Sequence, residues 1–263
     1  MKNIIFLTLL LSCRLLVADD CFNTASQDRD RARPVSAEPI DISMVFVQGG
    51  TFTMGCTSEQ SDDCNDMEKP AHQVTVSSFY IGEYEVTQAQ WKAVMGANPS
   101  YFKGDNLPVE QVSWNDVQEF IRQLNAQTDK QYRLQTEAEW EYAARGGNKS
   151  RDCKYSGGNN LNDVGWYTDN SGNTTHPVGA TRPNELGIYD MSGNVWEWCH
   201  DWCGVYSSSA QRDPMGPSSS PFRVFRGGSW FNFAKYARVS YRNGRNPDLR
   251  NNLLGFRLAC SLQ

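Results

Sequence analysis

Gly193-Asn194-Val195-Trp196-Glu197-Trp198 and Arg226-Gly227-Gly228-Ser229-Trp230 are the stretches on which the reading of this chain turns. Both fall beyond residue 147, where short β segments, Gly-Asn-Asp turns and aromatic residues succeed one another and no helical period appears. Segments this long without helices are ordinarily functional or disordered. The density of Trp and Tyr favours order. Upstream the pattern changes. Residues 45–55 alternate apolar and polar side chains about Gly49-Gly50, as a β-hairpin would, and residues 73–80 alternate again as one further strand. Thr87 with Gln90, and Thr136 with Glu139, have the spacing of capping boxes that open helices. Between them Ser113-Trp114-Asn115-Asp116 begins a helix in which Val117, Phe120, Ile121 and Leu124 recur at helical spacing, and Gly146-Gly147 closes the third.

The 263 residues carry 25 Lys and Arg against 30 Asp and Glu, and a formal charge of -5 argues against a general nucleic-acid binder, which needs a basic field over phosphates. The length allows one domain or two. No composition shift divides the chain after its entrance, so one domain over 44–263 is expected. An aromatic fraction of 12%, with 21 Gly and 11 Pro, describes a globular chain rich in turns.

The entrance is different in kind. One lysine precedes an apolar run too short to span a bilayer, then Leu10-Leu11-Ser12-Cys13, so residues 1–18 read as a secretory signal. Leu10 to Cys13 resembles a lipobox, in which Cys13 would take the lipid and become the mature N-terminus; a non-lipidated signal cut after Ala18 is the alternative. Residues 19–43 are polar and charge-rich and read as a tether. Export makes disulfides available. Cys56 with Cys64, and Cys199 with Cys203, are candidate pairs, Cys21, Cys153 and Cys260 have no evident partner, and buried free thiols are the other reading.

Seven motifs in order name a family: residues 49–55 (GGTFTMG), Glu85-Val86-Thr87, residues 108–114 (PVEQVSW), residues 133–141 (RLQTEAEWE), and then Gly193 to Trp198, Arg226 to Trp230 and Gly255-Phe256-Arg257. Over about residues 44–261 the chain resembles the formylglycine-generating, sulfatase-modifying enzymes. The resemblance implies an α+β, C-type-lectin-like fold with little regular structure. It also implies copper held by two cysteines shortly after the Gly-Gly-Ser, since soft monovalent copper wants thiolates. Asn232 and Ala237 stand at those positions, so no copper is expected. His72, His176 and His200 are scattered, with His72 reading as a hydrogen-bonded core residue, and Ser229, His200 and Asp201 make a triad only on paper. Residues 190–197 resemble the family's calcium loop, in which Asp190 and Glu197 with the carbonyls of Met191, Gly193 and Val195 would hold a structural calcium; a tight turn whose Glu197 caps amides is the alternative.

Residues 231–253 resemble a narrower group, the variable proteins of diversity-generating retroelements, whose variable region would lie over about 225–259. In that system template AAY codons become other codons ending in a pyrimidine, which cannot encode Lys or Trp. Phe231, Asn232, Phe233, Tyr236, Tyr241, Asn243, Gly244, Arg245, Asn246, Leu249, Asn251, Asn252 and Leu253 obey that rule and are the candidate ligand-binding residues. Trp230, Lys235, Arg238, Val239, Ser240, Arg242, Pro247, Asp248 and Arg250 form the framework between them. Rigid aromatics among Asn, Ser and Gly make a paratope-like surface, unless Phe231 and Phe233 share a buried strand face. The function expected is a monomeric, non-enzymatic lipoprotein, displayed on the outer surface and touching the membrane only through its lipid, that binds a protein or surface ligand and no nucleic acid. A copper-dependent oxidoreductase and an invariant envelope scaffold are the alternatives.

Overall fold

Thr87, Ser113 and Thr136 sit in extended backbone, and the side chain of each accepts a hydrogen bond from the amide three residues on. The side chain of that third residue accepts one from the cap's own amide in return, which satisfies two of the orphan donors of a helix start. From these caps run α1 (Gln88–Met95), α2 (Trp114–Gln127) and α3 (Glu137–Ala144). The computed structural model describes residues 40–262; the expected signal at 1–18, Cys13, Cys21 and the tether as far as residue 39 lie outside the described residues. Val117, Phe120, Ile121 and Leu124 of α2 are buried, and the ring of Phe120 stacks on Trp91 of α1 at 5.1 Å.

The strands, in chain order, are β1 (Met44–Val47), β2 (Gly50–Met54), β3 (His72–Val76), β4 (Phe79–Gly82), β5 (Tyr132–Arg133), β6 (Trp196–Trp202), β7 (Gln211–Arg212), β8 (Arg223–Arg226), β9 (Arg242–Arg245), β10 (Leu254–Gly255) and β11 (Ala259–Ser261). They form three sheets, ordered β1-β4-β11-β5, β10-β6-β8-β9 and β2-β3-β7. The C-terminal strand β11 lies between β4 and β5, so the end of the domain is stitched to its beginning.

Two expectations are corrected here. Residues 45–55 are not a hairpin: β1 pairs with β4 and β2 with β3, so the Gly49-Gly50 step passes the chain from one sheet to another. At Gly49 a Cβ would lie 2.5 Å from the Val76 carbonyl oxygen, which is why the crossing is made by a residue with none. Residues 73–80 are two strands rather than one, because the chain turns at Ser77 and Ser78, where the Ser78 hydroxyl receives the Gly49 amide.

Cys56 and Cys64 form a disulfide. Cys199 and Cys203 do not pair, and both are free thiols. Cys199 lies on β6 and Cys203 directly follows that strand; four extended residues span about 13 Å, well beyond the roughly 4.4–6.8 Å a disulfide allows. Burial pushes the Cys199 thiol well above its ordinary value.

Trp91, Trp140, Trp196 and Trp198 are buried as core, while Trp114 stays half-buried, with the Arg223 guanidinium over its ring at 3.8 Å. The core also contains charge. Every residue of α3 is buried, including Glu137, Glu139 and Glu141. Each has an arginine: Arg242 binds Glu137 through two bonds of 2.6 and 2.7 Å, Arg133 binds Glu139 through two of 2.7 Å, and Arg226 binds Glu141. Arg257 grips Glu197 and Arg238 grips Glu68 in the same two-bonded manner, all four side chains being out of solvent.

A buried pair is no stronger than apolar packing would be, but breaking one strands a charge at a cost of about 3–5 kcal/mol. Arg238→Met, which leaves Glu68 buried without a cation, is therefore expected to lower the urea-unfolding free energy by about 3–5 kcal/mol. The double variant Arg238→Met, Glu68→Leu should recover most of that loss in the same measurement.

Candidate functional site

The segment that follows β8 is built on an alternation. β9 pairs with β8 so that Arg242 faces Arg226, Asn243 faces Phe225 and Gly244 faces Val224. Successive side chains on a strand point to opposite faces. Arg242 and Gly244 accordingly turn inward, whereas Asn243 and Arg245 turn towards the face carrying Phe225. On that face Trp196 meets Phe225 edge-on at 4.9 Å, and Leu254 of β10 lies beside Trp196 in register.

Over this floor the chain folds a cavity of about 450 Å3. Phe231, Asn232 and Phe233 come from the turn after Trp230, and Tyr236 from the short helical turn Ala234–Tyr236. Tyr241, Asn243 and Arg245 come from β9 and its approach, and Leu249, Asn251 and Leu253 from the return loop. Thus all the candidate ligand-binding residues except Gly244, Asn246 and Asn252 line one cavity. Phe231 and Phe233 do not share a buried strand face: they lie in a turn and are 57% and 66% exposed. Tyr236 and Tyr241 meet edge-on at 5.0 Å, which holds the two rings against each other in an arrangement their quadrupoles favour.

Gly244 is corrected as a ligand-facing position. It is buried, and a Cβ there would lie 2.8 Å from both the Cβ and the sulfur of Cys203. Asn246 is exposed, but its side chain closes a turn by accepting the Asp248 amide at 2.9 Å. Asn252 is half-buried, and its carbonyl accepts the Trp230 indole N–H at 2.9 Å.

The framework residues between these positions lock the backbone. Arg238 binds Glu68, and the Ser240 hydroxyl donates to the same carboxylate at 2.5 Å; Val239 is buried beside them. Arg226 donates to the Tyr241 carbonyl, and Arg242 to those of Met67 and Gly204. The return loop is tied to the start of α2, where Arg250 grips Asp116 with bonds of 2.6 and 2.7 Å, Asn115 donates to Asp248 at 2.6 Å, and the Pro247 carbonyl accepts the Trp114 amide.

The other candidate chemistry does not assemble. Asn232 Oδ1 is 2.5 Å from the Ser229 hydroxyl, and Ala237 is a buried methyl, so neither offers a thiolate. His200 and Asp201 are consecutive on β6, Asp201 accepts the Glu137 amide, and the Ser229 hydroxyl donates to Asn232 rather than to either of them. His72 Nδ1 lies 3.1 Å from the Pro70 carbonyl oxygen, and His176 stacks on Trp166 at 3.7 Å. In the loop suggested for calcium, both oxygens of Glu197 are bound by Arg257, and one also accepts the Trp140 indole N–H at 2.7 Å. Asp190 accepts from the Gly179 amide and the Thr181 hydroxyl. Of the set Asp190, Met191, Gly193, Val195 and Glu197, the two carboxylates thus already have partners within the protein, Glu197 above all in Arg257. Among the described residues no group of three acidic, His or Cys side chains is placed to hold an ion.

Sequence reading missed Trp196, Phe225 and Leu254 as the floor, because only the strand register brings them together. It also missed two buried acids. Glu110, behind Phe102 and Trp230, accepts the Phe102 amide at 2.8 Å, leaves Oε2 without a partner, and is pushed by burial to about 7. Asp201 accepts the Glu137 amide and is pushed by burial, then by the Glu137 charge, to about 8.

Residues 32–262 match the sulfatase-modifying factor enzyme 1-like domain. The chain is 39% identical over 261 residues to chaperone protein LppX of Paenibacillus barcinonensis, across 78% of this chain and 86% of that protein. It is 39% identical over 193 residues to the formylglycine-generating enzyme of Streptomyces coelicolor, across 66% of this chain and 59% of that enzyme. Among solved structures, Treponema denticola variable protein 1 superposes with a TM-score of 0.76 at 34% identity, over 84% of this chain and 95% of that one. The mixed architecture, with few helices and short strands, is the C-type-lectin-like fold of that relative.

Two outcomes follow from this geometry. Gly244→Val should cost about 1–3 kcal/mol in urea unfolding, as overpacking does, while Asn243→Ser next to it should stay within about 0.5 kcal/mol. For the acids the sign is set by raised folded-state values: their stabilising contribution is complete below the ordinary carboxylate range and is lost as pH climbs past 7 and 8. His200, whose protonation is disfavoured by burial and then by Arg223, is uncharged in that window. The thermal midpoint should fall by about 3–6 °C between pH 7 and 9, and Asp201→Asn should flatten most of that slope.

Proposed function

We infer that this chain, which belongs to the sulfatase-modifying factor enzyme 1-like family, is a surface-displayed ligand-binding protein whose C-terminal segment is diversified by a retroelement. The observation that carries this reading is the partition of residues 231–253. All the positions open to AAY-derived change except Gly244, Asn246 and Asn252 gather on one cavity, while Arg238, Val239, Ser240 and Arg242 among them are buried and bound to distant parts of the chain. Side chains on the rim can then change without disturbing what holds the backbone. Aromatic rings supply rigid contact area at small entropic cost, and asparagines supply adaptable hydrogen bonds, as in antibody paratopes.

The likeness to a variable protein over 84% of the chain supports the same reading. Formylglycine-generating relatives are enzymes by name, but the positions where thiolates would grip copper carry Asn232 and Ala237, which argues against that chemistry here. The entrance of the chain, with Cys13 as lipid acceptor, would anchor the domain at a membrane.

The test lies in the DNA. A reverse-transcriptase gene and a near-identical repeat, differing from codons 231–253 only where the template has adenine, are expected beside this gene. Independent isolates should differ at the cavity-lining codons and keep codon 244 as glycine. A locus without the repeat, with substitutions scattered along the whole domain, would overturn the reading in favour of a fixed scaffold.

A further inference from the structure

The cavity has a floor and a rim of different origin. Its floor is Trp196, Phe225 and Leu254, each at most 6% exposed and each fixed by the register of β6, β8 and β10 outside residues 231–253. Whatever the rim carries, the bottom remains apolar and aromatic, a seat for a side chain that brings its own rigid hydrophobic area.

The rim has one charge. Arg245 is the only charged residue among those lining the cavity. Its guanidinium donates to the Gly244 carbonyl at 3.2 Å, and no carboxylate pairs with it among the described residues. The rim asparagines each have Oδ1 engaged inside the protein: Asn232 Oδ1 meets Ser229, Asn243 Oδ1 accepts the Gly244 amide, and Asn251 Oδ1 accepts the Leu253 amide. What faces a ligand is one cation among asparagine side chains and the hydroxyls of Tyr236 and Tyr241, above an apolar seat. A guanidinium without an acidic partner is best completed by a planar carboxylate, which it can bind through two parallel hydrogen bonds.

On the reading of this face as a ligand-binding surface, we propose that in this variant it captures an acidic, aromatic knob of a protein partner. A Trp, Tyr or Phe side chain seats on Trp196 and Phe225, and a carboxylate beside it meets Arg245. The floor sets a preference for aromatic knobs shared by all variants, and the rim sets the charge that must accompany them.

N-acetyl-tryptophan and its uncharged amide test this as a matched pair, titrated into the folded domain by NMR with the Trp196 indole N–H as reporter. Both probes should shift that resonance, and the carboxylate form should bind about three- to tenfold more tightly. Arg245→Glu, at an exposed position, should leave the unfolding midpoint in place and abolish or reverse the preference. Equal affinities, a preference that survives Arg245→Glu, or shifts that bypass the Trp196 indole would each overturn the proposal, as would binding of neither probe. Those failures leave the genomic test of diversification untouched, so the two readings fall separately.

Discussion

Carboxylates inside a protein must be paired or protonated, and α3 carries its glutamates into the core along a helix no residue of which reaches solvent. Their partners come mostly from the far end of the chain, Arg226 and Arg242 above all, with Arg238 and Arg257 serving Glu68 and Glu197 in the same way. These pairs replace the backbone ladders that an irregular segment lacks. A guanidinium has five donors in a rigid fork. Arg257 uses them to hold Glu197 together with the carbonyls of Gly82 and Tyr189, so one side chain fixes three stretches of chain. Such pairs add little net stability over apolar packing, but a wrong arrangement leaves charges stranded. In this molecule that penalty sets where the loops lie.

The surface follows from that constraint. Once Arg242 is committed inward, β9 passes the alternation on to Asn243 and Arg245, which turn towards the cavity. The same strand explains why neighbours in sequence differ in kind. Gly244 faces Cys203 with no room for a side chain, whereas Asn243 opens on a cavity. Aromatic residues are divided in the same manner. Trp196 and Phe225 are clamped by three strands, and Phe231 and Phe233 project from a turn held by the Ser229 contact and by the Thr168 amide on the Asn232 carbonyl.

The loop between Asp190 and Glu197 shows how buried acids are gathered about one arginine. Two acids at that spacing suit a hard cation when read as oxygen donors. In the folded chain they flank Arg257, and Glu85 is driven well above the usual carboxylate range by burial and by the charges of Asp190 and Glu197. Arg257 is the cation that faces these acids. The buried face of the sheet is held together by it and by the Trp140 indole, which donates to Glu197.

Local signals were legible to the extent that they are local. Capping boxes act over three residues, so Thr87, Ser113 and Thr136 announced their helices, and the ordered motifs from Gly49 to Arg257 announced the family. The alternation at 45–55 was read correctly as strand and wrongly as hairpin, because pairing depends on where Val76 lies and not on Gly49-Gly50. The close spacing of Cys199 and Cys203 suggested a bond that an extended strand makes impossible. Residue type alone marked the candidate positions in 231–253; which of them meet in one cavity, and above which floor, it did not. That second matter rests on contacts between positions far apart in the chain, Arg238 with Glu68 and Arg242 with Glu137, and such contacts have no signature until folding closes the distance.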